Sequence, residues 1–133
     1  MAKKTDRQKI VDKLDKIVSE IVVARDKNCV QCGASHQPQA GHRLGSGHVF
    51  SRKAFSTRWE ITPGGNVHAQ CWPCNRKHVF DSYLYFDWYV KKFGQKAFDK
   101  LRRRFKTVAK YKTFELEEIY ERLKAFRKTI SDK

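Results

Sequence analysis

Two Cys-x2-Cys pairs, CVQC at Cys29 and Cys32 and CWPC at Cys71 and Cys74, limit what this chain can fold into more than any other feature. A short turn between such cysteines directs both sulfurs at one point. Four thiolates suit a closed tetrahedral zinc site, because Zn²⁺ favours soft sulfur ligands. Gly33, directly after the first pair, fits the tight turn of such a knuckle. Two disulfides, or thiols without a metal, are the competing readings. A site closed by four sulfurs has no open coordination position, so its metal holds the chain together and does no chemistry itself. The stretch between the pairs needs holding: from Asn28 to about Asn66 hydrophobic periodicity vanishes, and Gly33, Pro38, Gly41, Gly45, Gly47, Pro63, Gly64 and Gly65 punctuate it. Loops and short strands fit such a region, and it stands in a compact domain only if something else fixes it.

Helical patterning returns on both sides. Ile10, Leu14, Ile17, Val18 and Ile21 share one face of an amphipathic helix, with Thr5 and Gln8 spaced as a capping box. This stripe either packs on the rest of the fold or forms a dimer interface. After Cys74, NRKHVFDSYLYFDWYVKKFG reads as one helix closed by Gly94, with Tyr85, Trp88 and Tyr89 at core spacing. QKAFDKLRRRF follows, with Phe98, Leu101 and Phe105 on one side. In the last helix Leu116, Ile119, Tyr120, Leu123, Phe126 and Ile130 form the buried stripe and Thr113 is the N-cap. The 133 residues suffice for one small α+β domain: an N-terminal helix (1–27), a metal-bound core (28–94) and a basic helical extension (95–133).

Charge points to the partner. The chain carries 29 Lys and Arg against 14 acidic residues, a formal charge of +15, which attracts a polyanion over a broad surface. Nucleic acid is favoured over membrane, since no apolar run approaches the ~20 residues needed to cross a bilayer. The N-terminal MAKKTDRQK has no apolar signal-peptide core, so a cytoplasmic location is expected, where thiols stay reduced and favour a metal over disulfides. The densest basic run lies between Lys91 and Lys112, around Arg102, Arg103 and Arg104, with Asp99 its only acid. These arginines are expected DNA contacts, as are Arg76 and Lys77 beside the second cysteine pair.

Around the cysteines stand GHR at Gly41–Arg43, GGNVHAQ at Gly64–Gln70, and Asn75 directly after Cys74. This His, Asn, Asn series resembles the HNH, or ββα-metal, nucleases, and the placing of the cysteine pairs is similar to phage resolvases of the endonuclease VII type. In local wording, AGH followed by SR, RW, N, QCWPCN and a Tyr-rich helix ending in FG, the stretch from about Cys29 to Gly94 resembles the phage recombination proteins of the NinG (Rap) family. The resemblance implies a zinc-stapled ββα-metal core. In it a strand ends in His42, a second strand opens at Asn66, and a helix carries Asn75 in its first turn.

It also implies roles. His42 would be the general base that activates water, Asn75 a ligand of a catalytic Mg²⁺ or Mn²⁺, and Asn66 the residue that holds the loop and orients His42. The reaction would be metal-assisted phosphodiester hydrolysis, in which a neutral imidazole takes a proton from water. Where those nucleases have an Asp before the base, this chain has Gly41. The metal would then be held by fewer protein groups, or by a substitute among His48, His78 and Asp81, of which His78 lies three residues after Asn75 and on a helix would face the same way. Alternatively His42 is itself a ligand and His48 or His68 is the base. A DNA endonuclease acting on branched recombination intermediates is the leading expectation, with a homodimer if junctions are its substrate. A zinc-dependent DNA-binding module without cleavage and an HNH nickase without branch preference are the alternatives.

Overall fold

The computed structural model describes residues 3–131, and these form five α-helices and one two-stranded sheet. Helix α1 spans Asp6–Asp26. Its capping box is present: Gln8 N–H donates to Thr5 Oγ1 at 3.1 Å and Thr5 N–H to Gln8 Oε1 at 3.0 Å, satisfying two donors the first turn leaves open. Helix α5, Thr113–Ser131, packs along it. Ile10, Leu14, Ile17, Val18 and Ile21 form one core with Leu116 and Leu123, joined by Val22, Trp59 and Val67. Each such aliphatic side chain, fully buried, stabilises the fold by about 1.5–3 kcal/mol. The apolar stripes of the first and last helices thus cover each other within one chain.

Two details of α5 differ from expectation. Phe126 is 43% exposed, because it flanks a stripe centred on Leu116 and Leu123. Thr113 is the first helical residue, and the Glu115 carboxylate accepts the Lys112 N–H at 2.9 Å instead.

Strands β1 (Leu44–His48) and β2 (Val67–Cys71) pair antiparallel, Leu44 opposite Cys71 and His48 opposite Val67. Helix α1 lies against both strands. At its C-terminal end Asp26 Oδ2 accepts the Ala69 N–H at 2.8 Å, and Arg25 donates to the Ile61 and Val67 carbonyls, fixing the hairpin to the helix. The loop between the strands is tied down by Asp15, whose carboxylate accepts from Arg58 at 2.6 and 3.0 Å and from Trp59 Nε1 at 2.9 Å. Partial burial works to raise the Asp15 pKa, but the bonds from Arg58 and Trp59 outweigh it and hold the carboxyl below its ordinary value. Stability from this depressed carboxyl is present above the unfolded value near pH 4 and is lost as pH falls through the folded value. Asp15→Asn is expected to cost about 1–3 kcal/mol at pH 7 in urea unfolding. The gap between variant and parent should narrow as the pH is lowered below 4.

From β2 the chain passes directly into α2 (Trp72–Phe80), then α3 (Tyr83–Phe93) and α4 (Gln95–Lys106). The single helix expected after Cys74 is therefore two. Asp81 leaves helical geometry with φ −144° and ψ 93°, and its Oδ1 accepts the Tyr83 N–H at 3.1 Å, restarting the helix in a new direction. Tyr85, Tyr89 and Leu101 form a second core with Val49, around which Phe50, Phe86, Trp88 and Phe98 pack.

Candidate functional site

Helix α2 is positioned at its start by the cysteines. In the first knuckle the Gly33 N–H donates to the Cys29 carbonyl at 2.9 Å and the Cys29 N–H to the Ala34 carbonyl at 2.8 Å. Gly33 has φ +80°, a left-handed turn that glycine adopts without a Cβ penalty. The knuckle is joined to β2 by the Val30 N–H on the Ala69 carbonyl at 2.9 Å. The second pair bridges β2 and α2: Cys71 ends the strand, Cys74 lies in the first helical turn, and Pro73 occupies a position where its missing N–H costs nothing.

All four Sγ atoms lie within 4.8 Å of one another, and Cys29, Cys71 and Cys74 are buried while Cys32 is exposed. Cys32 Sγ and Cys71 Sγ are 3.6 Å apart. That is too long for a disulfide and close to the edge of about 3.8 Å that four Zn–S bonds of ~2.3 Å define. Burial pushes the Cys71 and Cys74 thiols up, whereas backbone hydrogen bonds from Cys71, Cys32 and Gln31 outweigh burial at Cys29 and bring it down. A divalent cation offsets the cost of ionising such a cluster. The four cysteines thus fit a zinc ion, and among the described residues they are the only group of three or more His, Cys, Asp or Glu side chains so placed.

His42 stands beside this cluster. It exchanges two backbone hydrogen bonds with Gln37, both 2.9 Å, and the next carbonyl, Arg43, accepts the Trp72 N–H at 2.9 Å. His42 is therefore pinned at the end of the hairpin from which α2 departs, where Asn75 is exposed one residue after Cys74. It precedes β1 instead of ending it, because the chain first turns through a short 3-10 segment, Pro38–Ala40. Gly41 closes that turn at φ +81°, a conformation in which an Asp would be strained; this accounts locally for glycine at the position. His42 Nδ1 is buried without a hydrogen-bond partner.

Asn66 does hold the loop: its Oδ1 accepts the Phe50 N–H at 2.8 Å and its Nδ2 donates to the Phe50 carbonyl at 2.9 Å. It does so beyond the far end of the hairpin from His42, with the whole of β1, about 13 Å at a rise of ~3.3 Å per residue, between them, so it does not orient that ring.

The candidates to replace the Asp missing at Gly41, and His68 as the alternative base, are also elsewhere. His48 Nε2 donates to the Arg58 carbonyl at 2.9 Å at that same far end, and burial lowers its pKa to about 4. His68 is buried against Trp88, Tyr89 and Phe93, and burial, then Arg25, lowers its pKa to about 4. His78 donates Nε2 to the Val49 carbonyl at 3.0 Å and packs edge-on to Tyr85 and Phe86, facing the core while Asn75 faces solvent. Asp81 caps α3. None of these four stands with His42. A neighbour that sequence reasoning passed over is His36, whose Nδ1 accepts the Leu44 N–H at 3.0 Å and so braces the start of β1; no motif in the sequence marks it.

Residues 1–132 match the model of the family described as Bacteriophage Lambda NinG protein. The chain belongs to the NinG family. No curated protein and no solved structure gives a significant match to it.

On the surface of this NinG-family chain the basic candidates divide. Arg76 and Lys77 are exposed on α2, with the Arg76 guanidinium 5.0 Å from the centre of the Trp72 ring. Arg102 and Arg103 are exposed on α4 and line a shallow recess with Lys106 and Asp99. Arg104 makes a two-pronged ion pair with Glu60 at 2.9 and 3.1 Å, which ties α4 to the loop between the strands. Among the described residues no helix is long and apolar enough to cross a membrane.

Proposed function

We propose that this NinG-family protein is a zinc-stapled, divalent-cation-dependent DNA endonuclease of the ββα-metal type. The observation that carries the reading is the seam between Arg43 and Trp72, which sets His42 beside the N-terminal end of α2 where Asn75 is exposed. A strand, a loop, a second strand and a helix follow in chain order, with His42 just ahead of the first strand and Asn75 near the start of the helix. The zinc held by Cys29, Cys32, Cys71 and Cys74 fixes the relative position of those two residues.

For the second, catalytic metal the donor set is lean. Asn75 offers a hard amide oxygen, and water and DNA phosphate oxygens would complete the shell, as is common for Mg²⁺ sites, with His42 reserved for the proton. Such an ion, Mg²⁺ or Mn²⁺, would supply positive charge for the phosphate in the transition state. His42 takes the proton from the attacking water. Arg76 and Lys77, one and two residues beyond Asn75, hold the phosphates on either side of the scissile bond. Phosphodiester cleavage then yields two DNA ends. The family's association with phage recombination makes branched DNA the natural substrate class.

Electrostatic contact with DNA has its own test. Neutralising Arg102 and Arg103 together should flatten the plot of log affinity against log salt by about two contacts' worth, roughly 0.9 in slope for each phosphate released. Arg104→Gln should instead lower thermal stability and leave the slope nearly unchanged, since its guanidinium is engaged by Glu60. Fluorescence anisotropy across a salt series reads the slopes. An unchanged slope in the double variant would move the DNA path away from α4.

A further inference from the structure

The outward face of α2 has an unusual composition for a helix in water. Trp72, Arg76 and Phe80 follow one another at intervals of four, with Val79 alongside, and Tyr83 continues the surface at the start of α3. Trp72 is 55% exposed, Val79 78%, Phe80 81% and Tyr83 68%, whereas the inward side carries buried Cys74 and half-buried His78. Solvent-facing positions of an amphipathic helix ordinarily carry polar side chains, and clustered exposed apolar surface marks a binding site. Here three of the apolar side chains are aromatic, and a guanidinium already lies over one of them.

Charge selects the occupant. Helix α2 contains no acidic residue and carries Arg76 and Lys77, and Asp81, between Phe80 and Tyr83, turns one carboxylate oxygen to the Tyr83 N–H. A second copy docking through this patch about a two-fold axis would bring those cations onto their own equivalents. A polyanion is complementary to them. Duplex DNA offers side chains only base edges in its grooves, because the base faces are already stacked. Aromatic rings flanked by cations match bases whose faces are free.

We infer that the outward face of α2, extended by Tyr83, is a stacking surface for unpaired bases, so that the chain engages DNA where strands are open: single strands, flaps and branch points. This rests on the reading of DNA as the partner, and places those bases one to two helical turns from Asn75. An apolar side chain such as Phe80 at a branch would lean on an unstacked base, as wedging side chains do elsewhere.

The test uses the zinc-loaded full chain without added Mg²⁺ or Mn²⁺, so that binding is read apart from cleavage. Anisotropy is measured on a labelled single strand, a four-way junction and a linear duplex, with 2-aminopurine at the unpaired positions. The Phe80→Ala, Tyr83→Ala double variant, at positions too exposed to carry the fold, should lose roughly 5- to 100-fold in affinity for the single strand and junction. Its duplex affinity should stay within about twofold, the 2-aminopurine quenching seen with the parent should disappear, and Phe80→Trp should retain it. Equal loss on all three DNAs, or none, overturns the inference. So does loss of self-association, or of capture by anionic vesicles, with DNA affinity unchanged; those results would assign the face to a second copy or to lipid. A parent that binds none of the DNAs would instead remove the DNA reading beneath it.

Discussion

Cys74→Ser is expected to release the bound metal and unfold the hairpin and the segment between the cysteine pairs. Cys74 is buried in a small cluster whose only other buried members are Cys29, Leu44 and Cys71, so few apolar contacts stand behind the metal. Residues 49–66 form no strand or helix of their own, and 28–43 contain only the short turn at Pro38–Ala40 and two isolated bridges, Asn28 with Ser35 and Gln37 with His42. Structural zinc in small domains contributes apparent free energies of about 10–16 kcal/mol at pH 7, and binding is coupled to folding. The α1–α5 core contains none of the four cysteines, so much of the helical circular dichroism should survive while the near-ultraviolet signal around Trp72 and Trp88 collapses. Elemental analysis should give about one zinc per parental chain and none in the variant. Parental protein that folds fully without zinc would contradict this, and so would a Cys74→Ser variant with unaltered melting.

Legibility in the sequence followed the strength of each local signal. The capping box at Thr5 and the α1 stripe were readable because helix period and cap chemistry are both local. The cysteine spacing likewise announced a shared centre, and the four sulfurs meet. What the α1 stripe packs against was not readable, since its partner α5 lies about a hundred residues away and a tertiary contact leaves no local trace. The break at Asp81 was missed because Val79 and Phe80 sustain an apolar pattern across it, although their surface is exposed. The histidines were the hardest to sort. His48, His68 and His78 each have a polar or aromatic neighbour fixed by the fold; pairing register separates His48 and His68 from His42, and the inward side of α2 holds His78 on the Val49 carbonyl.

Asn75→Ala and His42→Ala should each reduce DNA cleavage about a hundredfold or more while leaving zinc content, melting temperature and DNA affinity close to parental. General-base and metal contributions are each commonly of that size. Neither change removes a side-chain hydrogen bond of the fold: Asn75 is exposed, the buried Nδ1 of His42 has no hydrogen-bond partner, and His42 contributes its backbone to the Gln37 pairing, which alanine retains. Adjacent residues should therefore fail in different ways, Cys74 through folding and Asn75 through chemistry. Imidazole added to His42→Ala should restore part of the rate if the missing group is a base. His78→Gln offers a comparison, because a donor on the Val49 carbonyl can be kept; it should lose stability more than cleavage per folded molecule.

Cleavage itself is the most direct measurement. Purified zinc-loaded protein, incubated with end-labelled four-way junction, flap, single strand and linear duplex, is assayed with and without Mg²⁺ or Mn²⁺ beside Asn75→Ala and His42→Ala. The proposed function predicts cation-dependent strand scission by the parent, strongest on DNA with open strands, and its loss in both variants at undiminished binding. Tight binding with no scission of any substrate under either cation would contradict it, as would scission at the parental rate by both variants; intact DNA would leave a zinc-held DNA-binding module as the function.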